Sequence, residues 1–157
     1  MKNAVSRGAA AWLAAVLGAA TLPAHADEAD RSAVSVPLYR DECGTCHVAF
    51  APRLLPAQSW QRVMGQLSNH YAVDASIDAA RARELLAWLQ AHAADSRRAA
   101  VPPHDRITES AWFLSEHKEV PAAVWQRPAV RKPSNCGACH TRADEGSFRE
   151  RDIVIPK

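Results

Sequence analysis

All four cysteines of this 157-residue chain fall in two C-x-x-C pairs, Cys43/Cys46 and Cys136/Cys139, and each pair is followed at once by a histidine, His47 and His140. Two thiols separated by two residues can bond to the two vinyl groups on one edge of a porphyrin. The adjacent histidine can then turn its imidazole beneath the ring to bind iron. A structural disulfide, a thioredoxin-like redox pair or a zinc site could also use C-x-x-C, but none requires histidine directly after both pairs. The pattern therefore points to two covalently attached haem c groups, with Cys43, Cys46, Cys136 and Cys139 as anchors and His47 and His140 as iron ligands. Each haem is a large, rigid apolar plate. It substitutes for a core that a half-chain of ~65 residues builds only marginally.

Residues 1–26 read as an export signal: Lys2 and Arg7 at the start, an apolar stretch from Ala9 to Ala20, then Ala24-His25-Ala26 at a cleavage site. The apolar stretch falls short of the ~20 residues needed to cross a ~30 Å bilayer, and no later segment approaches that length. A periplasmic protein without a membrane span is expected. Lys2 and Arg7 also account for the whole formal charge of +2, because the chain has 19 basic and 17 acidic residues. A neutral mature polypeptide carrying haem propionates is mildly acidic, which gives no electrostatic support to a nucleic-acid partner.

Hydrophobic periodicity indicates a mostly α fold made of two small haem-organised helical units, of cytochrome c type. Trp60, Val63, Met64, Leu67 and Tyr71 recur at helical spacing after Ser59, a candidate cap, and predict one helix over 59–71. A second helix is predicted from Ser76 to about Ala94, with Ile77, Ala80, Leu85, Trp88 and Leu89 inward, and a short third one from near Thr108 to before Pro121. Pro52 and Pro56 bracket Leu54 and Leu55 in a fixed loop expected to lay apolar side chains against a neighbour such as the haem edge. Val124, Trp125, Pro128 and Val130 make an irregular apolar path to the second haem motif. Pro102-Pro103 after a charged run marks the expected division, giving an N-terminal haem domain over 27–100 and a C-terminal one over 101–157. Trp60, Trp88, Trp112 and Trp125 are expected to pack in the core or against haem.

The remaining question is what fills the far side of each iron. Nothing after His140 is a His or a Met, so the second haem's distal ligand, where it has one, comes from upstream. Candidates are His70, His92, His104, His117 and Met64. His104 reads as a solvated linker histidine, and His92 as a helix C-terminal histidine favoured by the dipole. Met64 is a rival to His70, since methionine ligation is a common cytochrome c solution, though an inward Met is more often core filling. At ~3.6 residues per turn the two lie about 120° apart, so one straight helix does not offer both to one iron. His70 follows His47 by 23 residues and His117 precedes His140 by 23, which makes these two the leading candidates.

The stretches "YRDECGTCHVAFAPRLLPAQSW", "LSNHYAVDASID", "RITESAWFLSEHKEVP" and "SNCGACHTRADEGSFRERDIVIP" together resemble the small dihaem cytochromes c of the DHC type, in order and over most of residues 27–157. The resemblance implies bis-histidine ligation of both haems, His47 with His70 and His140 with His117, at low potential. It further implies a non-enzymatic role: single electrons pass from a membrane cytochrome b to a soluble oxygen-binding monohaem cytochrome c. Two other classes fit the size and haem count: a small dihaem electron-transfer subunit of a periplasmic reductase such as nitrate reductase, and a gas-binding sensor with one open haem.

Overall fold

The computed structural model describes residues 37–95 and 99–157. The expected signal segment and the lead-in through Val36 lie outside the described residues. Among the described residues, five α-helices are joined by short 3-10 turns: α1 (Pro37–Cys43), α2 (Ala57–Gly65), α3 (Ala79–Ala91), α4 (Ala111–Glu116) and α5 (Ala122–Trp125). Among the described residues there are isolated backbone bridges but no strand, and no helix is long and apolar enough to cross a membrane.

The helix predicted over 59–71 is shorter and starts earlier. Proline at 56 begins it in extended geometry, and Ser59 lies fully buried inside the first turns rather than capping them. It stops at Gly65, a poor helix former. A 3-10 turn over Leu67–Asn69 follows, and Tyr71 and Ala72 then take left-handed backbone at φ 52° and 74°. This break removes Tyr71 from the apolar stripe and frees His70 from the helix. The second helix is also shorter than predicted, because Asp78 caps it by accepting from the amides of Ala80 and Arg81 at 2.9 and 3.1 Å. The third begins at Ala111 rather than Thr108: Ser110 Oγ accepts from the Phe113 amide at 3.1 Å, and residues 107–109 form a separate 3-10 turn.

Packing of α2 on α3 makes the main core, closed by Tyr39 of α1. Its buried members are Tyr39, Leu55, Trp60, Leu85, Leu89 and Ile107. The polar ends of its aromatics are satisfied: Tyr39 Oη donates to the Phe50 carbonyl and Trp60 Nε1 to the Pro52 carbonyl, both at 2.7 Å. Leu55, inside the proline-bracketed loop, is buried, and Ala94, three residues beyond α3, donates back to its carbonyl at 2.9 Å. The segment after Pro102 folds onto this same body. Ile107 enters the core, and Asp105 pairs with Arg62 of α2. Farther on, Phe113, Val124, Val130 and Ala143 are buried in the C-terminal part. Of the two places expected for Trp112, the core or a haem face, it does not take the core. It lies on the outer side of α4, 49 % exposed.

Candidate haem sites

The first site begins where α1 ends. Gly44 donates its amide to the Arg40 carbonyl at 2.8 Å, and a Cβ at position 44 would sit 2.5 Å from that oxygen, so only glycine fits this turn between Cys43 and Cys46. His47 follows, with Nδ1 2.7 Å from the Val48 carbonyl and its ring stacked on Phe50. With Nδ1–H donating, Nε2 is left as the metal-binding atom. His70, released by the break after Gly65, faces it: the two ring centres are 6.2 Å apart with planes at 26°. With metal–nitrogen bonds of about 2.0 Å and each ring centre about 1 Å behind its bonding atom, imidazoles at this separation would hold one iron between them. Both rings line a cavity of about 650 Å³ together with Cys43, Cys46, Phe50 and Met64. That volume lies within the ~300–1,000 Å³ of cofactor sites.

At the second site Cys136–Ala138 form a 3-10 turn, and the His140 amide donates to the Cys136 carbonyl at 2.8 Å. His117 terminates α4. Its Nδ1 is 2.9 Å from the Phe113 carbonyl, its ring stacks on Phe113 at 4.0 Å, and Trp125 packs beside it. The ring centres of His117 and His140 are 6.1 Å apart, but their planes cross at 78°. Nδ1 of His140 is buried without a protein partner. No protein hydrogen bond therefore orients this ring, which leaves a bound metal as the group that would do so. The tail folds back across the motif: Val154 donates to the Cys139 carbonyl at 2.8 Å, Thr141 donates to the Asp152 carbonyl, and Phe148 lies 5.2 Å from the His140 ring.

The chemistry of these groups suits covalent haem better than the other uses of C-x-x-C. Burial, reinforced by Glu42, pushes the free Cys43 thiol up to about 11, and burial does the same for Cys136. Redox-active and zinc-binding cysteines are instead held as thiolates. None of the four cysteines is in a disulfide. Among the described residues, no group of three or more His, Cys, Asp and Glu side chains is set to hold a bare metal ion. Burial also lowers the pKa of His70 and of His140, with the facing histidine adding to it, which favours the neutral imidazole that binds iron.

The other candidates fall away from these pairs. His92 is exposed at the end of α3, bonded to the Trp88 carbonyl and stacked on Trp88. His104 sits exposed in the 103–105 turn with φ 53°. Met64 borders the first cavity beside the core. Sequence reasoning missed Tyr71, Arg106 and Asp105, which surround His70. They meet only through a fold-back of 34 residues, and no local spacing signals that.

The chain matches the dihaem cytochrome c family over residues 39–148. It superposes on the new diheme cytochrome type c of Shewanella baltica OS155 with a TM-score of 0.67 and 35 % identity, covering 76 % of this chain and 92 % of that one. Diheme cytochrome c from Rhodobacter sphaeroides gives a TM-score of 0.66 at 41 % identity, over 73 % of this chain and 98 % of that one. A second crystal structure, of DHC purified from the same organism, gives 0.63 at 42 % identity, over 73 % and 97 %. No curated protein sequence is significantly similar. With two C-x-x-C-H anchors and these matches, the chain belongs to the dihaem cytochrome c family and carries two haem c groups.

Proposed function

We propose that the protein is a periplasmic single-electron carrier in which His47 and His70 hold the iron of the first haem and His140 and His117 that of the second. Membership of the family implies electron transfer; the ligand set gives it a physical basis. The observation that carries the reading is the pairing of each haem-motif histidine with one other histidine at a ring-centre separation of about 6 Å, at which the two would hold one iron. When bound, haem supplies a one-electron iron couple. The chain's part is to hold two nitrogen ligands in place in both oxidation states. This leaves no open position for substrate and little geometry to reorganise. His47 and His117 are fixed by Nδ1–H···O=C bonds, and Phe50, Phe113, Trp125 and Phe148 pack on the rings.

The partners we infer are a membrane cytochrome b as donor and a soluble oxygen-binding monohaem cytochrome c as acceptor, on the strength of the sequence resemblance. We also take residues 27–100 and 101–157 as the two haem-bearing domains, the second lending Asp105 to Ile107 to the body of the first, with 1–26 removed on export.

Low-temperature EPR of the ferric protein tests the ligation. Nearly parallel imidazoles split the iron's two π-type d orbitals, whereas crossed ones leave them close in energy and enlarge the g anisotropy; axial geometry is one of the levers a protein holds over haem. Two low-spin signals are expected, an ordinary rhombic one for the first haem and a highly anisotropic one for the second. His70→Ala removes the first and creates a high-spin haem; His117→Ala removes the second. If the two variants remove the opposite signals, the pairing is crossed. If neither perturbs a haem, the distal assignments are wrong and the open-haem reading returns.

A further inference from the structure

His70 borders two spaces. One is the cavity it shares with His47; the other is a cleft of about 390 Å³ lined by Arg62, Asn69, Tyr71, Ala72, His104 and Asp105. An imidazole that left the first would have room in the second. His117 differs, being tied to α4 by its own Nδ1 and stacked on Phe113, whereas the ring neighbours of His70 are His47 and Tyr71.

The two segments that meet over His70 are both held in costly backbone geometry. Tyr71 and Ala72 on one, His104 and Asp105 on the other, all have φ between 52° and 74° without being glycine. Such geometry persists only where the surroundings over-determine it. Here they do. The Tyr71 hydroxyl, 3.1 Å from the carbonyls of both His104 and Asp105, donates across the gap. The Arg106 guanidinium lies 4.1 Å above the Tyr71 ring, and that ring meets His70 edge-on at 4.8 Å. Asp105 accepts from Nε and Nη2 of Arg62 at 2.8 and 2.7 Å, which anchors the assembly to α2.

We propose that Tyr71, Asp105, Arg106 and Arg62 form a latch that keeps His70 turned toward the first haem, and that loosening it opens this haem, and not the second, to a small ligand. These are positioning residues, and the inference rests on His70 being the distal ligand. The latch replaces the within-helix restraint that His117 enjoys.

The test is carbon monoxide binding to the reduced, full-length holoprotein, followed by stopped-flow absorbance. Tyr71→Phe keeps the ring against His70 and Arg106 but removes the hydroxyl. It is expected to speed binding at one haem by about fivefold, the scale of one lost hydrogen bond. Arg62→Ala acts in the same direction, and Arg62→Lys restores part of the effect. The double variant Tyr71→Phe/His70→Ala is expected to bind no faster than His70→Ala, because the latch has nothing left to hold. Wild-type rates in Tyr71→Phe, with or without a lower melting temperature, overturn the latch while leaving His70 as ligand, provided His70→Ala opens a haem. An additive double variant overturns it as well. If His70→Ala itself leaves both haems closed to carbon monoxide, the ligand reading fails and the latch falls with it.

Discussion

The two haem units solve one ligation problem with different amounts of protein. Around the first haem, helices of nine and thirteen residues pack over a core of Tyr39, Leu55, Trp60, Leu85, Leu89 and Ile107. Around the second, the longest α-helix has six residues, and the rest is 3-10 turns and a tail strapped over His140. Helices that short do not persist on propensity alone. Their stability has to come from what they pack against, and Phe113, Val124, Val130 and Ala143 are a small set for that purpose. The expectation is that the second unit leans on its haem, whereas the first has a protein core able to stand partly without one.

Removing the anchors breaks this comparison most directly. Cys136→Ser/Cys139→Ser is expected to abolish hydrogen-exchange protection over most of residues 111–157, while Cys43→Ser/Cys46→Ser leaves protection in α2 and α3 largely in place. Equal losses on both sides would mean that the core of the first unit depends on haem as heavily as the second does.

A smaller effect sharpens the same contrast from within the core. Leu89 is fully buried between α2 and α3. Leu89→Ala is expected to cost about 2–5 kcal/mol by guanidinium titration followed by far-UV circular dichroism, through lost burial and the cavity left behind. The EPR signal of the second haem should remain as in the wild type. A cost below about 1 kcal/mol would show that haem, rather than helix packing, carries the first unit too.

The chemistry of both sites was legible in the sequence because it is local. Cys43-Gly44-Thr45-Cys46-His47 and its counterpart at 136–140 carry their meaning in consecutive residues, and the 23-residue spacings to His70 and His117 singled out the two histidines that the fold brings opposite them. Helix ends were less legible. The apolar stripe from Trp60 to Tyr71 continued past Gly65, but the chain breaks there and brings His70 opposite His47, so that tertiary context overrides periodicity. Ser59 resembled a cap, yet Pro56 starts the helix and buries it. Trp112 was unreadable for another reason: α4 is too short for spacing to distinguish its inner face from its outer one. The contacts of Tyr71 with His104 and Asp105 join residues 33 and 34 apart, beyond any local pattern.

The smallest expected effect separates the units by their helix caps. Ser110 caps the six-residue α4, which ends at His117; Asp78 caps the thirteen-residue α3, whose C-terminal His92 faces neither haem-motif histidine. Ser110→Ala should cost about 1 kcal/mol. In so short a helix the loss should reach His117, so that, with His117 as the proposed ligand, the highly anisotropic EPR signal broadens while the rhombic one stays sharp. Asp78→Ala should leave both signals unchanged, and its cost should depend on pH. The amides of Arg81 and Ala80 hold the Asp78 carboxyl below its ordinary pKa. Its contribution is therefore present above the unfolded carboxylate value and lost as pH falls through the lower folded one. Denaturation at neutral and at strongly acid pH reads this: the Asp78→Ala difference should vanish in acid, and the Ser110→Ala difference should not. If Asp78→Ala broadens a haem signal, α3 reports to a haem after all, and the first unit is less independent of its cofactor than its core suggests.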